Sequence, residues 1–319
     1  MILFFCNDFS GDADLGSKLI IEKLKCEHIL INPHGEIKNI QLVQQGSSVL
    51  LSVGKKLFHP ETIFLSKLWR TDCLINTPNG YIYPGAYRSR VNQFLQDIRF
   101  AFEKSKWLPG KLESIDKAES KPTMFKEAFL LGIQVPAYTV NAFTPEGGFL
   151  NKHSKTIFRK NLGYPFTITT NTEIGQEIAL TTTNELVDLT ELNKEGFQPW
   201  QWQEPIKAKR QIRSFISTEK TWSVCWEKQP KEDFIDLRKL NQIEEVDIQW
   251  IKYQLPVNLE SKMYLLLKKL GINFASPEFL VDDQNNHILI DLNPCGDWFG
   301  FFDDNTHEEI SKVIANIIQ

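Results

Sequence analysis

The segment "ILIDLNPCGDWFG", residues 288–300, carries two oxygen-bearing side chains at the end of an otherwise apolar strand. Asp291 and Asn293 are two residues apart, so a strand places them on the same face. Pro294 and Gly296 follow directly and indicate a turn. The pattern predicts a binding site at the end of this strand. Its plainer interpretation is a strand end with Asn-Pro as an ordinary turn starter.

The residues before this segment predict its partner strand. "ASPEFLVDD" (275–283) and "HILIDLNP" (287–294) are apolar runs around the turn signal "DQNN", which predicts an antiparallel hairpin. A turn of two or four residues centred just after Gln284 places Glu278 directly opposite Asp291. A turn of three residues would break this alignment. The register of the hairpin therefore decides whether the two carboxylates meet.

Opposed carboxylates predict a bound cation. Directly opposite Cβ atoms lie about 5 Å apart, and two carboxylates at this range repel each other unless a cation lies between them. Glu278, Asp291 and Asn293 offer three hard oxygen donors. Such donors suit Mg²⁺ or Mn²⁺ and leave coordination positions for water and phosphate oxygens. The sequence therefore predicts a divalent metal site on the hairpin.

The composition indicates a folded protein without a strong overall charge. The chain has 319 residues, of which 42% are hydrophobic and 12% aromatic, enough to build the cores of two or three domains. The net charge of −4 arises from 36 basic and 40 acidic residues. So small a net charge creates no general field for nucleic acid or anionic lipid. Any anion must therefore bind to a local cluster, and we expect no nucleic-acid or membrane partner.

Cysteine usage and hydropathy indicate the compartment. The five cysteines are odd in number and never stand in a C-x-x-C spacing, so neither a disulfide framework nor a zinc site is predicted. No run of about 18 apolar residues occurs, and the first residues do not form a signal peptide. We therefore expect a cytoplasmic protein whose first five residues form a buried strand.

Periodicity predicts alternating strands and helices, and hence an α/β fold. Residues 106–120 are interpreted as a connection because Pro109 and Gly110 prevent the preceding helix from continuing and the composition becomes polar. Thr306 and Glu309 have the spacing of a capping box at the start of the last helix. A hairpin is predicted to turn at 218–220. The predicted helices cover 14–25, 86–105, 121–133, 258–272 and a C-terminal segment, and strands are predicted at 2–6, 28–31, 39–43, 48–52, 137–143 and 156–161.

Several motifs, in this order, resemble those of ATP-grasp ligases. They are "AESKPTMFKEAFLLGIQVP" (118–136), "TIFRKN" (156–161), "WQEPI" (202–206) and the acid-x-Asn-Pro strand end. Within that superfamily the motifs "QEPIKAKRQIRSF", "DLR" and "NPCGDWFGF" are most similar to microviridin-type graspetide macrocyclases, which modify ribosomal peptides. The resemblance implies an ATP-grasp fold with an N-terminal α/β pre-ATP-grasp domain at 1–115. A nucleotide-binding lobe at 116–200 and a C-terminal lobe with the metal site at 201–319 would follow.

The resemblance also implies where ATP binds. Lys121 and Lys160 would contact the α- and β-phosphates, whereas Gln203, Glu204 and Ile206 would lie along the adenine and ribose. The plainer interpretations are a solvated lysine near a helix start, the flank of an edge strand and an ordinary strand end. The implied cofactors are ATP and Mg²⁺, with Mn²⁺ as the alternative ion.

Two arginines and one acid complete the implied catalytic set. Arg213 and Arg238 would bind the γ-phosphate or the substrate carboxylate, because a guanidinium group binds either one through two parallel hydrogen bonds. Asp236 would orient Arg238 or accept a proton from the nucleophile. A surface ion pair is the plainer interpretation of each arginine.

The chain departs from the family pattern at four positions. Glu278 and Asp291 stand where these enzymes usually carry Asp and Glu, in that order. Leu237 replaces the tryptophan of Asp-Trp-Arg, and Gln211 stands where an acid often precedes the arginine. We therefore expect peptide contacts near 211 and 237 to differ from those of the family.

The function implied by the resemblance is an ATP-dependent carboxylate ligase. It would activate Asp or Glu side chains of a ribosomal precursor peptide as acyl phosphates, and Ser, Thr or Lys side chains would then form ester or amide crosslinks. The partner would be a precursor peptide with its leader, and a homodimer is left open. Two alternatives are a RimK-like ligase that adds amino acids to a carboxylate and a non-catalytic ATP-grasp peptide-binding protein.

Overall fold

The computed structural model describes residues 1–5, 12–31, 40–66, 75–77, 80–82, 93–94, 96–141, 156–161, 167–172, 175–180, 185–188, 200–227, 248–296 and 298–319. The described helices are α1 (Asp12–Lys23), α2 (Leu112–Glu119), α3 (Lys121–Leu130), α4 (Val257–Leu270) and α5 (Asp304–Ile318), with a further helical stretch at 96–101. None of the described helices is long and apolar enough to cross a membrane.

The N-terminal part is built on a parallel sheet. Its strands, in spatial order, are β2 (His28–Ile31), β1 (Ile2–Phe5), β6 (Thr62–Leu65) and β9 (Lys106–Leu108). All four residues of β1 and of β6 are buried, as expected of parallel strands covered on both faces. An antiparallel sheet of β3 (Ile40–Gln45), β4 (Ser48–Val53) and β5 (Lys56–Phe58) shares a buried core with it, and β7 (Ile75–Thr77) and β8 (Gly80–Ile82) form a separate hairpin.

The middle of the chain forms two antiparallel sheets. The larger has the order β10 (Tyr138–Asn141), β15 (Trp200–Gln203), β11 (Thr156–Asn161) and β14 (Glu185–Asp188). The smaller pairs β12 (Thr167–Thr172) with β13 (Gly175–Leu180). Six residues, 204–209, lead from β15 into the next strand, so the larger sheet is joined directly to the C-terminal sheet.

The C-terminal sheet has five antiparallel strands. Their order is β18 (Ile251–Tyr253), β17 (Thr221–Glu227), β16 (Arg210–Ser217), β19 (Phe274–Val281) and β20 (His287–Asn293). Apolar residues on one face pack with α3 and α4 into a single core; among them are Ile212, Phe279, Leu289 and Leu292. The other face carries large apolar side chains at one end and polar side chains, including Glu278, toward the other.

A second core joins this sheet to the N-terminal part. Phe215 and Phe274 of the five-stranded sheet belong to one buried cluster with Phe4 of β1 and Phe64 of β6. The rings of Phe64 and Phe274 are stacked with centroids 6.2 Å apart. The five-stranded sheet therefore has one face on helices and part of the other on the parallel sheet.

Several predicted elements are confirmed. The strands at 28–31 and 156–161 have the predicted bounds, and the first strand is buried. Strands β16 and β17 turn at 218–220 as predicted. The helix predicted at 86–105 lies partly outside the described residues. The division into domains stays a prediction.

Two predictions about local structure are wrong. Residues 106–120 are not a connection, because Trp107 and Leu108 are buried in β9 and α2 follows. Pro109 marks only the break between these two elements. The last helix is capped by Asp303, whose carboxylate accepts a hydrogen bond from Thr306 N at 2.8 Å. An acid three residues before Thr306 thus takes the capping role that was predicted for the threonine.

Candidate active site

The hairpin of β19 and β20 closes with a three-residue turn. Asp282 N donates to Asn286 O at 3.2 Å, and Asn285 has a φ of 64°, as is common in three-residue hairpin loops. Next to the turn, Val281 pairs with His287. The turn therefore has the three residues that the sequence left open, not two or four, and the register next to it differs by one residue from the register that would place Glu278 opposite Asp291.

A β-bulge at Ile290 restores the predicted pairing further along the hairpin. Phe279 still pairs with Leu289, but the register then shifts, and Glu278 pairs with Asp291. The prediction that these two acids lie opposite each other is confirmed, although two one-residue shifts produce it. The bulged strand has one extra residue, so two residues of β20 face one residue of β19 at this point.

The bulge also determines which face of the sheet carries Asp291. Leu289 and Leu292 both belong to the core beneath α3 and α4, although they are three residues apart. Strict alternation from Leu289 would place Asp291 on this same helix-covered face. The extra residue Ile290 changes the alternation, so Asp291 lies on the opposite face, beside Glu278.

Two donors from the neighbouring strand hold the carboxylate of Glu278. Gln211 Nε2 donates a hydrogen bond to Oε1, and an Arg213 guanidinium nitrogen lies 3.3 Å from Oε2. Arg213 stands directly opposite Glu278 in the register of β16 and β19. The side chain of Glu278 is only 18% exposed, so this carboxylate is fixed in place.

Lys121, the first residue of α3, binds the other acid. Its ammonium group donates to Asp291 Oδ1 at 2.6 Å and to Ile290 O, in the bulge, at 3.2 Å. The lysine side chain is 22% exposed, whereas that of Asp291 is 52% exposed. Lys121 is therefore not a solvated lysine at a helix start, and each of the two opposed acids has its own cation.

Asn293 is held by the turn that follows it. Its Oδ1 accepts a hydrogen bond from Cys295 N at 3.1 Å, and Gly296, with a φ of 71°, provides the left-handed conformation that this turn needs. One lone pair of the amide oxygen remains for another ligand. Ser276 stands opposite Asn293, and its buried hydroxyl group finds no hydrogen-bond partner among the described residues.

The other four predicted nucleotide-binding residues lie on β15 or next to it. Gln203 is 3% exposed, and its Oε1 has no hydrogen-bond partner within the described part of the chain. Glu204 N donates to Ala137 O at 2.9 Å, and Ile206 is partly exposed on the segment that leads to β16. Lys160 lies opposite Gln201 in the register of β11 and β15, and only its backbone is described.

The structure brings one predicted arginine into the site. Arg213 lies with its guanidinium carbon 4.5 Å from the ring centre of Phe301, and its buried Nε has no hydrogen-bond partner in the described ranges. This ring and Glu278 together fix the arginine. Asp236 and Arg238 lie outside the described residues.

Three residues of the site, Gln211, Ser276 and Phe301, were not predicted as site residues from the sequence. Gln211 and Ser276 each stand two residues from a predicted site residue, so strand alternation could have placed them on the same face. The contact of Phe301 with Arg213 depends on the loop after β20, and no local pattern indicates it.

The donor set fits Mg²⁺. In the part of the chain that the structure describes, no group of three or more His, Cys, Asp or Glu residues could hold a metal. Glu278 and Asp291 instead supply two opposed carboxylates, and Asn293 adds an amide oxygen on the same face. Mg²⁺ is commonly bound by one or two carboxylates together with water and phosphate oxygens. The site needs such additional oxygens to be complete.

Comparison with known proteins finds the fold. No family model and no curated protein sequence matches the chain. An ATP-grasp ligase from Chryseobacterium gregarium, RiPP-associated and in complex with ADP and a leader and core peptide, is similar over 99% of this chain and 96% of its own. Its TM-score is 0.75 at 19% identity. The chain has the ATP-grasp fold.

Two further structures share this ATP-grasp fold. The macrocyclase MdnC from Microcystis aeruginosa MRC, bound with precursor peptide MdnA, has a TM-score of 0.77 at 18% identity, over 100% of this chain and 99% of its own. The ATP-grasp ligase PsnB, complexed with minimal precursor, Mg and ADP, has a TM-score of 0.65 at 12% identity, over 99% and 95% of the two chains. The fold implied by the sequence resemblance is confirmed.

Proposed function

We propose that the chain is an ATP- and Mg²⁺-dependent carboxylate ligase that acts on a ribosomal precursor peptide. It activates Asp or Glu side chains of the peptide as acyl phosphates and joins them to Ser, Thr or Lys side chains as esters or amides. The observation that carries the proposal is the opposed pair Glu278 and Asp291, at the bulged end of a hairpin in an ATP-grasp fold. Asn293 supplies the third oxygen.

Three residues form the proposed metal site. Glu278, Asp291 and Asn293 would hold Mg²⁺, or Mn²⁺ in its place. When bound, the ion neutralises phosphate charge on the nucleotide. The partner cations Lys121 and Arg213 keep the two carboxylates in place in the ion-free protein.

The residues of the chain bind and orient the reactants. The γ-phosphate is transferred from ATP to a peptide carboxylate, which gives ADP and an acyl phosphate. A hydroxyl or amine of the peptide then attacks the acyl carbon, loses its proton, and displaces phosphate. Arg213 has a guanidinium edge that is not used by Glu278, and this edge binds the γ-phosphate or the peptide carboxylate. Lys121 and Lys160 contact the other phosphates, and Arg238 and Asp236 complete the set.

The nucleotide lies along the connection between two sheets. Gln203, Glu204 and Ile206 stand where β15 leads into β16, between the four-stranded and five-stranded sheets. The buried and unpartnered Oε1 of Gln203 can accept a hydrogen bond from an amino group such as that of adenine. This open acceptor supports adenine binding at the segment that the sequence motif indicates.

The peptide partner and the compartment belong to the same proposal. All three of the similar structures hold a peptide: a leader and core peptide in the first, a precursor peptide in the second and a minimal precursor in the third. We assign a leader-bearing precursor to this chain on that basis, and a homodimer stays open. The described cysteines form no disulfide, which supports a reducing cytoplasm.

The test measures ADP release and peptide mass together. The purified chain is incubated with ATP, Mg²⁺ and synthetic peptides from neighbouring short reading frames rich in Thr, Ser, Lys, Asp and Glu. A macrocyclase releases ADP, and the peptide loses the mass of one water per link. A gain in mass would indicate a ligase that adds amino acids, and nucleotide binding without ADP release would indicate a binding protein. Either result would overturn the proposal.

A further inference from the structure

Gln211 is a buried amide on the same sheet face as the candidate metal ligands. It lies on β16 two residues before Arg213 and is 4% exposed. Its Nε2 donates to Glu278 Oε1, while Arg213 contacts Oε2. Side chains of a single neighbouring strand therefore hold both oxygens of Glu278.

The contact between Gln211 and Glu278 requires two long side chains. Gln211 stands opposite Leu280 in the register, so it reaches Glu278 diagonally. Diagonal positions on neighbouring strands are about 7–8 Å apart, a distance that only long side chains bridge. An aspartate at position 278 would be one methylene shorter and would lose this contact. The length of the acid at 278 is thus coupled to the residue at 211.

The amide also suits the charges around it. Glu278 and Asp291 lie opposite each other, and Arg213 and Lys121 provide the compensating positive charges. A glutamine donates a hydrogen bond to Glu278 without adding a charge. An acid at 211 would instead add a third carboxylate to this face and would repel Glu278.

We propose that Gln211 is a positioning residue of the metal site, which acts by orienting the carboxylate of Glu278 toward Asp291 and Asn293. The inference rests on the proposed function, because Gln211 contacts Glu278, which binds the ion in that reaction. Hydrogen-bond partners that orient a metal-binding side chain commonly change metal affinity when they are replaced. Gln211 has the burial and the contact that such a partner needs.

The test compares ADP binding with and without Mg²⁺ by calorimetry, and Mn²⁺ binding by electron paramagnetic resonance. In Gln211→Glu and Gln211→Met, the gain in ADP affinity caused by Mg²⁺ is expected to fall roughly tenfold or more, with metal-free ADP affinity unchanged. Ser214→Ala is the matched control. Ser214 is buried on the opposite face of β16 and bonds Ser223 Oγ at 2.7 Å. Its loss should lower stability and leave the Mg²⁺ dependence intact.

A double variant tests whether the hydrogen bond between positions 211 and 278 stabilises the fold by itself, and whether the acid must stand at 278. Gln211→Glu with Glu278→Gln exchanges the acid and the amide, so the hydrogen bond between them and the net charge are preserved. We expect it to recover the thermal stability lost in Gln211→Glu but not the Mg²⁺ dependence, because the acid no longer stands opposite Asp291. Recovery of both would overturn the inference.

The outcomes for the inference and for the proposed function differ. A wild-type chain that binds ADP equally well with and without Mg²⁺ would overturn the proposed function and this inference together. A wild-type chain whose Mg²⁺ dependence persists in both single variants of Gln211 would overturn the inference alone.

Discussion

Replacing each of two aspartates at opposite ends of one hairpin by alanine should have opposite effects: Asp291→Ala should mainly lower turnover, and Asp282→Ala should mainly lower stability. Asp291 is 52% exposed and pairs with Lys121, which keeps its second hydrogen bond, to Ile290 O, when the acid is removed. Such a partly exposed pair contributes at most about 1 kcal/mol to the free energy of unfolding. Asp291→Ala should therefore lower the melting temperature by only about 2 °C.

The effect of Asp291→Ala on turnover should be large. Removing a ligand of the ion takes away several kcal/mol of charge stabilisation in the transition state. A loss of about 4 kcal/mol corresponds to a roughly thousandfold lower kcat/KM. The assay measures ADP release with ATP, Mg²⁺ and a peptide that the wild-type chain modifies. Thermal unfolding is measured on the same preparation.

Asp282 provides the control at the turn. Its carboxylate accepts hydrogen bonds from Gln284 N at 2.9 Å, Asn286 N at 2.8 Å and Asn286 Nδ2 at 2.8 Å. Burial alone would raise the pKa of Asp282, but these hydrogen bonds outweigh it and lower the pKa. Asp282→Ala should cost about 2 kcal/mol of stability and leave kcat/KM unchanged.

The opposite pattern in these two variants would contradict the assignment of Asp291 as a metal ligand. A folded Asp291→Ala variant whose kcat/KM stays within about tenfold of the wild type would show that this acid does not hold the ion. An Asp282→Ala variant that loses as much turnover would show that the hairpin acts only through its stability.

Three further predictions concern other parts of the fold. Burial lowers the pKa of His307, so the free energy of unfolding should be highest above the unfolded pKa of about 6.5 and should fall as the pH drops toward the folded pKa. His307→Phe should not show this fall when the free energy of unfolding is measured by denaturation at several pH values. A Cβ on Gly16 would lie 3.0 Å from Cζ2 of the buried Trp298 ring, and this crowding should outweigh the roughly 1 kcal/mol that alanine gains over glycine inside α1; Gly16→Ala should therefore lower stability by about 1 kcal/mol in chemical denaturation, and by less when combined with Trp298→Phe than the single losses add up to. Arg213→Lys should lower kcat/KM at least roughly tenfold with little change in stability, because a lysine keeps the charge but not the planar group that contacts Phe301.

The sequence predicted the opposed acids, but not the way in which the hairpin achieves it. Alternation and the turn signal predicted that Glu278 and Asp291 pair. The turn has three residues, which shifts the register by one residue, and the bulge at Ile290 shifts it back. Two buried leucines at a spacing of three, Leu289 and Leu292, are typical of a bulge. The bulge could not be predicted from the sequence, because residues 288–290 are all apolar and show no period-two alternation.

The partners of the site residues could not be predicted, because they come from distant parts of the chain. Lys121 was predicted from its motif, yet its contact with Asp291 joins residues 170 positions apart. Gln211 was noted only as a departure from a family pattern, and its contact with Glu278 follows from the register of β16 and β19. Such contacts depend on strand order, which local patterns do not specify.

Glu278, Asp291 and Asn293 are proposed to hold a divalent ion beside the nucleotide. Anomalous diffraction at the manganese edge, from crystals grown with ADP and Mn²⁺, locates this ion. We expect a peak among the three side chains, about 2.1 Å from an oxygen of each acid. A map that shows bound ADP but no peak there would contradict the proposed metal site. In such a map, Asp291 would still pair with Lys121, and Glu278 with Arg213 and Gln211.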